Sequence, residues 1–317
     1  MLKQKLIIDT DCGSDDAMAI AMALRDPNYE ILFFTAVSGN VHRDQAALNT
    51  LLTVEKAGTY EPPVYLGAAD MLLRDLAYAH ETHGDDGMGD LGFKPEHLKV
   101  SEGNGILKIL EALRDNEPQT VDIITLGTLT NIALAMRLEP ETMRRVRRIV
   151  AMGTAGLHPG NVSPVAEFNI WQDAEAAKIV TEFGIPLTYV GWDACWVNGA
   201  MLDEKEIKAL HDSGPLGEFL VDCNKCLLEL NRERFNGDYL DMADPAAMAA
   251  ALYPQCIDIC DKYYCEVDTN KGPSYGGVLV DTFRFSGKEP NAYIVSQLKP
   301  KEFKRYLFET LGAEYPE

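Results

Sequence analysis

Residues 6–16 read Leu6-Ile7-Ile8-Asp9-Thr10-Asp11-Cys12-Gly13-Ser14-Asp15-Asp16, an apolar run that breaks into a cluster of aspartates. Lys5 to Ile8 has strand length, Gly13 permits a tight turn, and Ser14 is suited to cap the apolar stretch Ala17 to Leu24, which reads as a buried helix. This strand-turn-helix unit places the aspartates at a strand end and in the first turn of a helix, where free N–H groups and the helix dipole offset part of their charge. Four carboxylates held together repel one another unless a cation sits among them. The segment therefore predicts a metal site in which Asp11 and Asp16 face one ion while Asp15 points elsewhere. Two aspartates would read as an acidic cap beside a solvated loop.

The rest of the chain alternates in the same way. Strand-like runs at Ile31 to Val37, Val121 to Leu126, Arg148 to Met152 and Pro186 to Val190 are separated by helical patterns at Asp44 to Lys56, Gly105 to Asn116, Leu129 to Leu138 and Ala174 to Phe183. Strands and helices taking turns imply βαβ units, hence an α/β fold with an open, mostly parallel central sheet flanked by helices. After residue 200 the pattern turns mostly helical, with an apparent helix from Leu216 to Arg234 and late strand-like runs at Tyr263 to Val267, Gly277 to Phe283 and Ala292 to Val295. With no repeat and no Pro/Ser-rich linker, residues 1–317 are expected to form a single domain with a helix-rich C-terminal elaboration.

Composition narrows the function. A hydrophobic content of 46% over 317 residues is enough for a sizeable core. A net charge of -20 argues against nucleic acid or an anionic membrane as partner and favours a small neutral substrate. No basic segment followed by an apolar one opens the chain, and no run approaches the length of a membrane span, so a cytoplasmic protein is expected. Seven scattered cysteines do not resemble a disulfide framework. A zinc site at Cys223 and Cys226 or around Cys256, Cys260 and Cys265 is a weaker reading than small core residues.

In open α/β sheets ligands bind beyond the carboxyl ends of the strands. The residues there are polar: the aspartate cluster, Ser38-Gly39-Asn40, Thr125-Leu126-Gly127-Thr128 and Met152-Gly153-Thr154. The loop Asn161 to Asn169 adds two amides and the Glu167 carboxylate, a set suited to sugar hydroxyls. Asp244, followed by Pro245 at the start of an alanine-rich helix, offers one more carboxylate at a helix N-terminus.

Taken together, Asp9-Thr-Asp-Cys-Gly-Ser-Asp-Asp, Ser38-Gly39-Asn40-Val41, Leu126-Gly-Thr-Leu-Thr-Asn-Ile-Ala, Ala166-Glu-Phe-Asn169 and Ala243-Asp-Pro resemble the inosine-uridine-preferring nucleoside hydrolase family, in its order and spacing from residue 5 to about residue 255. The resemblance implies a Ca²⁺-dependent N-ribohydrolase that splits a ribonucleoside into free base and ribose, working as a homodimer or homotetramer. It implies Asp11, Asp16, Asp244 and the main-chain oxygen of Leu126 as Ca²⁺ ligands, with Asp11 also the general base. Asp15 and Asn169 would hold ribose hydroxyls, Asn161 and Glu167 the 5′-hydroxyl, while Asn40 braces the site and Met152 packs against the sugar. An all-oxygen ligand set suits a hard ion better than zinc.

The chain departs from the family at one point. Better-understood members carry a histidine immediately before the late aspartate, where this chain has Ala243. Thr82-His83-Gly84-Asp85-Asp86-Gly87 resembles the family's other histidine loop, so His83 is the candidate to contact or protonate the base. Phe235, Tyr239 and Asp241 lie in a segment that closes over the base in relatives, whereas Trp192, Asp193 and Trp196 read as core. Two other functions fit less of the chain. One is a Ca²⁺-dependent ribose or ribonucleoside binder that lost turnover with the histidine. The other is a haloacid-dehalogenase-type phosphatase, with Gly84 to Asp90 as its later acidic motif.

Overall fold

A computed structural model describes residues 3–316. β1 (Gln4–Thr10) leads into α1 (Ser14–Arg25), and β2 (Tyr29–Ala36) into α2 (Arg43–Ala57). After β3 (Val64–Leu66) a long loop carries one turn of helix, α3 (His80–His83), before α4 (Gly105–Asp115). The βα alternation continues through β4 (Val121–Thr125), α5 (Thr130–Leu138), the short α6 (Pro140–Met143), β5 (Arg148–Met152), α7 (Phe168–Gln172), α8 (Ala174–Glu182) and β6 (Leu187–Val190). A helical stretch follows, comprising α9 (Asp193–Trp196), α10 (Glu204–His211), α11 (Pro215–Asp222), α12 (Lys225–Phe235) and α13 (Ala243–Leu252). Then come β7 (Ile257–Tyr263), β8 (Cys265–Val267), β9 (Val278–Val280), β10 (Ala292–Leu298) and α14 (Pro300–Leu311).

The main sheet runs β3-β2-β1-β4-β5-β6-β10-β7, parallel throughout except that β7 pairs antiparallel with β10. Successive side chains of a strand point to opposite faces. In β1, Leu6 and Ile8 accordingly join the core under α1, α2, α13 and α14, while Ile7 joins the core under α4, α5 and α8. The order reverses between β1 and β4, the topological switch point where a crevice opens. Alanine sets a second distance that matters for the site. Ala17, Ala19, Ala21 and Ala23 on α1 and the alanines of α13 are buried in one core, and these helices pack together, bringing both N-termini to the crevice.

The expected strands and helices form with small boundary differences, and three details change. Gly13, not Ser14, is the N-cap of α1, and the Asp16 carboxylate accepts the Gly13 N–H at 2.8 Å. The apparent helix Leu216 to Arg234 is broken at Cys223 and Asn224. There the Asn224 side chain donates to the carbonyls of Leu220 and Ser14, both at 2.9 Å, tying the break to α1. The run Tyr263 to Val267 is the junction of the edge strand β7 with β8, which pairs with β9 in a separate ribbon. β7 escapes sequence patterning because it is an exposed edge rich in charge, as edge strands often are.

Candidate active site

The crevice at the switch point collects the aspartates, and each is held differently. Asp9 is a strut: one carboxylate oxygen accepts from Asn131 Nδ2 at 2.7 Å and from the Thr35 hydroxyl, tying β1 to α5 and β2. Burial pushes its pKa up to about 7. Asp11 Oδ2 accepts the Asn40 N–H at 2.7 Å, whereas Asp11 Oδ1 is buried without a hydrogen-bond partner. Glycines wall this carboxylate: a Cβ on Gly39 would lie 1.9 Å from Oδ2, and one on Gly127 would lie 2.6 Å from Oδ1. Asp16 accepts from the Thr10 hydroxyl, the Gly13 N–H and Asn40 Nδ2, the last at 3.3 Å.

The paired N-termini of α1 and α13 complete the cluster. Asp15, Asp16 and Asp244 each present an oxygen within 4.8 Å of the others, and the Asp244 N–H lies 3.4 Å from Asp15 Oδ2. The expectation that Asp15 points away is thus corrected, because the first turn of α1 meets the start of α13 at that residue. Burial, followed by repulsion from neighbouring carboxylates, pushes Asp11 and Asp244 well above the ordinary carboxylate range and Asp16 to about 7. An unpartnered buried oxygen in an all-oxygen, strongly anionic pocket fits a hard divalent cation.

Beside the carboxylates lies the sugar-type loop. Asn169 Nδ2 donates to the Leu126 carbonyl at 2.7 Å and lies 3.3 Å from Met152 Sδ. Glu167 caps α7, its carboxylate accepting the Asn169 and Ile170 N–H groups at 2.9 and 3.3 Å, and burial raises its pKa to about 7. Asn161 Oδ1 accepts the Phe168 N–H at 3.0 Å and so pins the loop. Thr154 lies at φ +72°, a costly conformation for a β-branched residue. It is held by contacts on both sides: its N–H reaches the Glu167 carboxylate, and its carbonyl accepts the Trp192 N–H at 2.9 Å.

These groups border one cavity of about 390 Å³, which Asp15, Asn40, His83, Leu126, Met152, Asn161, Glu167, Asn169 and Asp244 all line. Asp11 and Asp16 lie beneath this wall, fully buried. His83 sits at the aspartate end, with Nδ1 2.8 Å from the Ser14 hydroxyl and 3.3 Å from the Ser14 N–H. A main-chain N–H can only donate, so Nδ1 accepts and the ring proton is assigned to Nε2. Burial lowers the His83 pKa, favouring the neutral ring.

A further stretch of the cavity wall, around Trp192, escapes a reading of the sequence alone. Trp192, read as core, lines the cavity and donates Nε1 to Asp241 Oδ2 at 3.1 Å. Asn231 Nδ2 donates to Asp241 Oδ1 at 2.6 Å. Leu227, Leu230 and Arg234 of α12 line the same cavity, while Phe235 and Tyr239 are not among the lining residues. The available signal was an arginine on a leucine stripe at i, i+3 and i+7. Gly84 to Asp90 does not follow a strand; Asp86 clasps this loop by accepting the Met88, Asp90 and Gly92 N–H groups at 2.7, 2.9 and 3.2 Å. The phosphatase reading fails on that placement.

Known proteins share this fold. The family model described as inosine-uridine preferring nucleoside hydrolase matches residues 6–305. The pyrimidine-specific ribonucleoside hydrolase RihB of Escherichia coli is 32% identical over 295 residues, covering 93% of this chain and 92% of its own. A plant nucleoside hydrolase, the PpNRh1 enzyme, superposes with a TM-score of 0.90 at 28% identity, covering 98% of this chain and 99% of its own. A purine-preferring ribonucleoside hydrolase from Gardnerella vaginalis superposes with a TM-score of 0.88 at 28% identity, covering 97% of this chain and 98% of its own. These relatives divide on the base, purine against pyrimidine, while agreeing on the fold. The chain belongs to the inosine-uridine-preferring nucleoside hydrolase family.

Proposed function

We propose that the protein hydrolyses the N-glycosidic bond of ribonucleosides to free base and ribose, with Ca²⁺ held by Asp11, Asp16, Asp244 and the Leu126 carbonyl. The observation that carries this reading is the unpartnered Asp11 Oδ1, buried between Gly39 and Gly127 beside the cavity that Asn169 and Glu167 line. When bound, the cation supplies anchorage for the ribose 2′- and 3′-hydroxyls, acidity for the attacking water and the charge that keeps the nearby carboxylates ionised.

The chain's own groups supply the rest. Asp11 takes a proton from the attacking water as its oxygen adds to C1′, the general-base role. Asp15 and Asn169 hold ribose hydroxyls, Asn161 and Glu167 the 5′-hydroxyl, and Met152 packs against the ring. Asn40 braces the site, its N–H on Asp11 and its amide on Asp16. As the C1′–N bond breaks the ribose gains oxocarbenium character, so nearby carboxylates stabilise the transition state more than the neutral substrate. His83 takes part as a neutral Nε2–H donor. By the family resemblance the working form is a homodimer or homotetramer. The test is ribose release from inosine, uridine and p-nitrophenyl β-D-ribofuranoside with Ca²⁺ and with chelator. Ribose binding without turnover of even the activated riboside would favour a binding protein instead.

A further inference from the structure

We propose that Arg234 stabilises the departing base, the task that Ala243 leaves without a side chain. The inference rests on the hydrolase reading above. Among the described residues lining the cavity, Arg234 is the only arginine or lysine, set against the carboxylates of Asp15, Glu81, Glu167, Asp241 and Asp244. A guanidinium carries its charge at every working pH and offers five N–H donors and no acceptor. It therefore pairs with the acceptor edge of a base on which negative charge is growing.

The surroundings aim this group rather than neutralise it. Asp241 is buried and already accepts from Asn231 and Trp192, and its nearer oxygen lies 4.0 Å from the Arg234 guanidinium. That distance is an ion pair at the limit of contact, so the guanidinium donors are not consumed by Asp241. The guanidinium also lies 5.6 Å from the centre of the Trp192 ring, which holds it against an aromatic wall. Asp241 and Trp192 are thus positioning residues. Ala243 lines the same cavity with only a methyl group, and His83, whose Nδ1 accepts from Ser14, is left with the single Nε2–H as a donor.

The step balances without another reactant. The C1′–N bond breaks and its electron pair goes to the base nitrogen, whose charge Arg234 stabilises without giving up a proton. The water oxygen bonds to C1′, its proton passes to Asp11 and then to solvent, and the base anion takes a proton from solvent.

The experiment compares Arg234→Met with wild type on the better of inosine and uridine and on p-nitrophenyl β-D-ribofuranoside, whose leaving group needs no help. The expected result is that the ratio of kcat/KM for the nucleoside to that for the riboside falls on the order of 100-fold, the scale of removing one charge-stabilising donor. Added guanidinium ion is expected to restore part of the loss, and Arg234→Lys to keep more than the methionine variant. An unchanged ratio, with both substrates slowed alike or neither slowed, overturns the role of Arg234 but leaves the hydrolase reading standing. Failure of the wild type on all three substrates overturns both.

Discussion

The side-chain amide of Asn169 donates to the main-chain carbonyl of Leu126 at 2.7 Å, joining the sugar-type loop to the strand end that faces the aspartates. The Leu126 N–H in turn donates to the Asp9 carbonyl at 2.8 Å, so β1, the end of β4 and α7 share one hydrogen-bonded seam. A change at Asn169 should therefore disturb sugar and cation binding together. Asn169→Ala is expected to lower activity or Ca²⁺ affinity about 10–100-fold, the usual effect of removing a group that orients a ligand. Isothermal titration with Ca²⁺ alone, beside steady-state kinetics, separates the two effects.

Asp11→Ala should be folded and inactive. It removes a proposed ligand and the proposed base, so a loss of at least about 10³-fold in kcat is expected from the scale of general-base catalysis alone. The far-ultraviolet circular dichroism spectrum should match wild type. Near-normal turnover would show that the base lies elsewhere.

Gly39→Ala tests the wall around that carboxylate. Its Cβ would lie 1.9 Å from Asp11 Oδ2, which cannot stand without movement of the strand end or the carboxylate. The expected cost is about 1–3 kcal/mol of stability, typical of overpacking, with loss of activity. Chemical denaturation and a kinetic assay report the two. A fully active Gly39→Ala would show that Asp11 need not stay where it is.

The site should make stability depend on pH in opposite ways with and without Ca²⁺. Asp16 and Asp9 titrate near pH 7 in the folded protein, and Asp11 and Asp244 are also raised above the ordinary carboxylate value near 3.8. Between about pH 4 and pH 7 the folded state therefore holds protons that the unfolded chain has released, so stability contributed by these groups falls as pH rises. In chelator Tm should drop across this window. Ca²⁺ requires the ionised carboxylates, so the rise in Tm that it causes should grow over the same window. Thermal melts at pH 5, 6 and 7.5 check both signs.

How much of the site is legible in the sequence follows from what each contact depends on. The strand-turn-helix around Asp11 is local, so its chemistry can be read from consecutive residues. The sugar-type loop was legible for a similar reason, since Asn161, Glu167 and Asn169 lie within nine positions. Asp244 was reachable from residue types only as a cap, and the family resemblance supplied its place. Its approach to Asp15 and Asp16 depends on how closely the alanine faces of α1 and α13 pack, a property of tertiary structure. Arg234 and Asp241 lie close in sequence, but Trp192 comes from a distant segment, and the three meet only when α12 packs over the cavity. Asp15 was misdirected because one-dimensional spacing does not show which neighbour its helix turn will face.

The most direct measurement follows ribose formation from inosine and uridine by chelator-treated protein as Ca²⁺ is added back, beside an Asp244→Ala variant. Ca²⁺-dependent ribonucleoside hydrolysis predicts no turnover in chelator, recovery that tracks Ca²⁺ occupancy, and recovery in Asp244→Ala only at much higher Ca²⁺ or not at all. Full turnover in chelator, or Ca²⁺ binding with no ribose formed from any ribonucleoside, would contradict it.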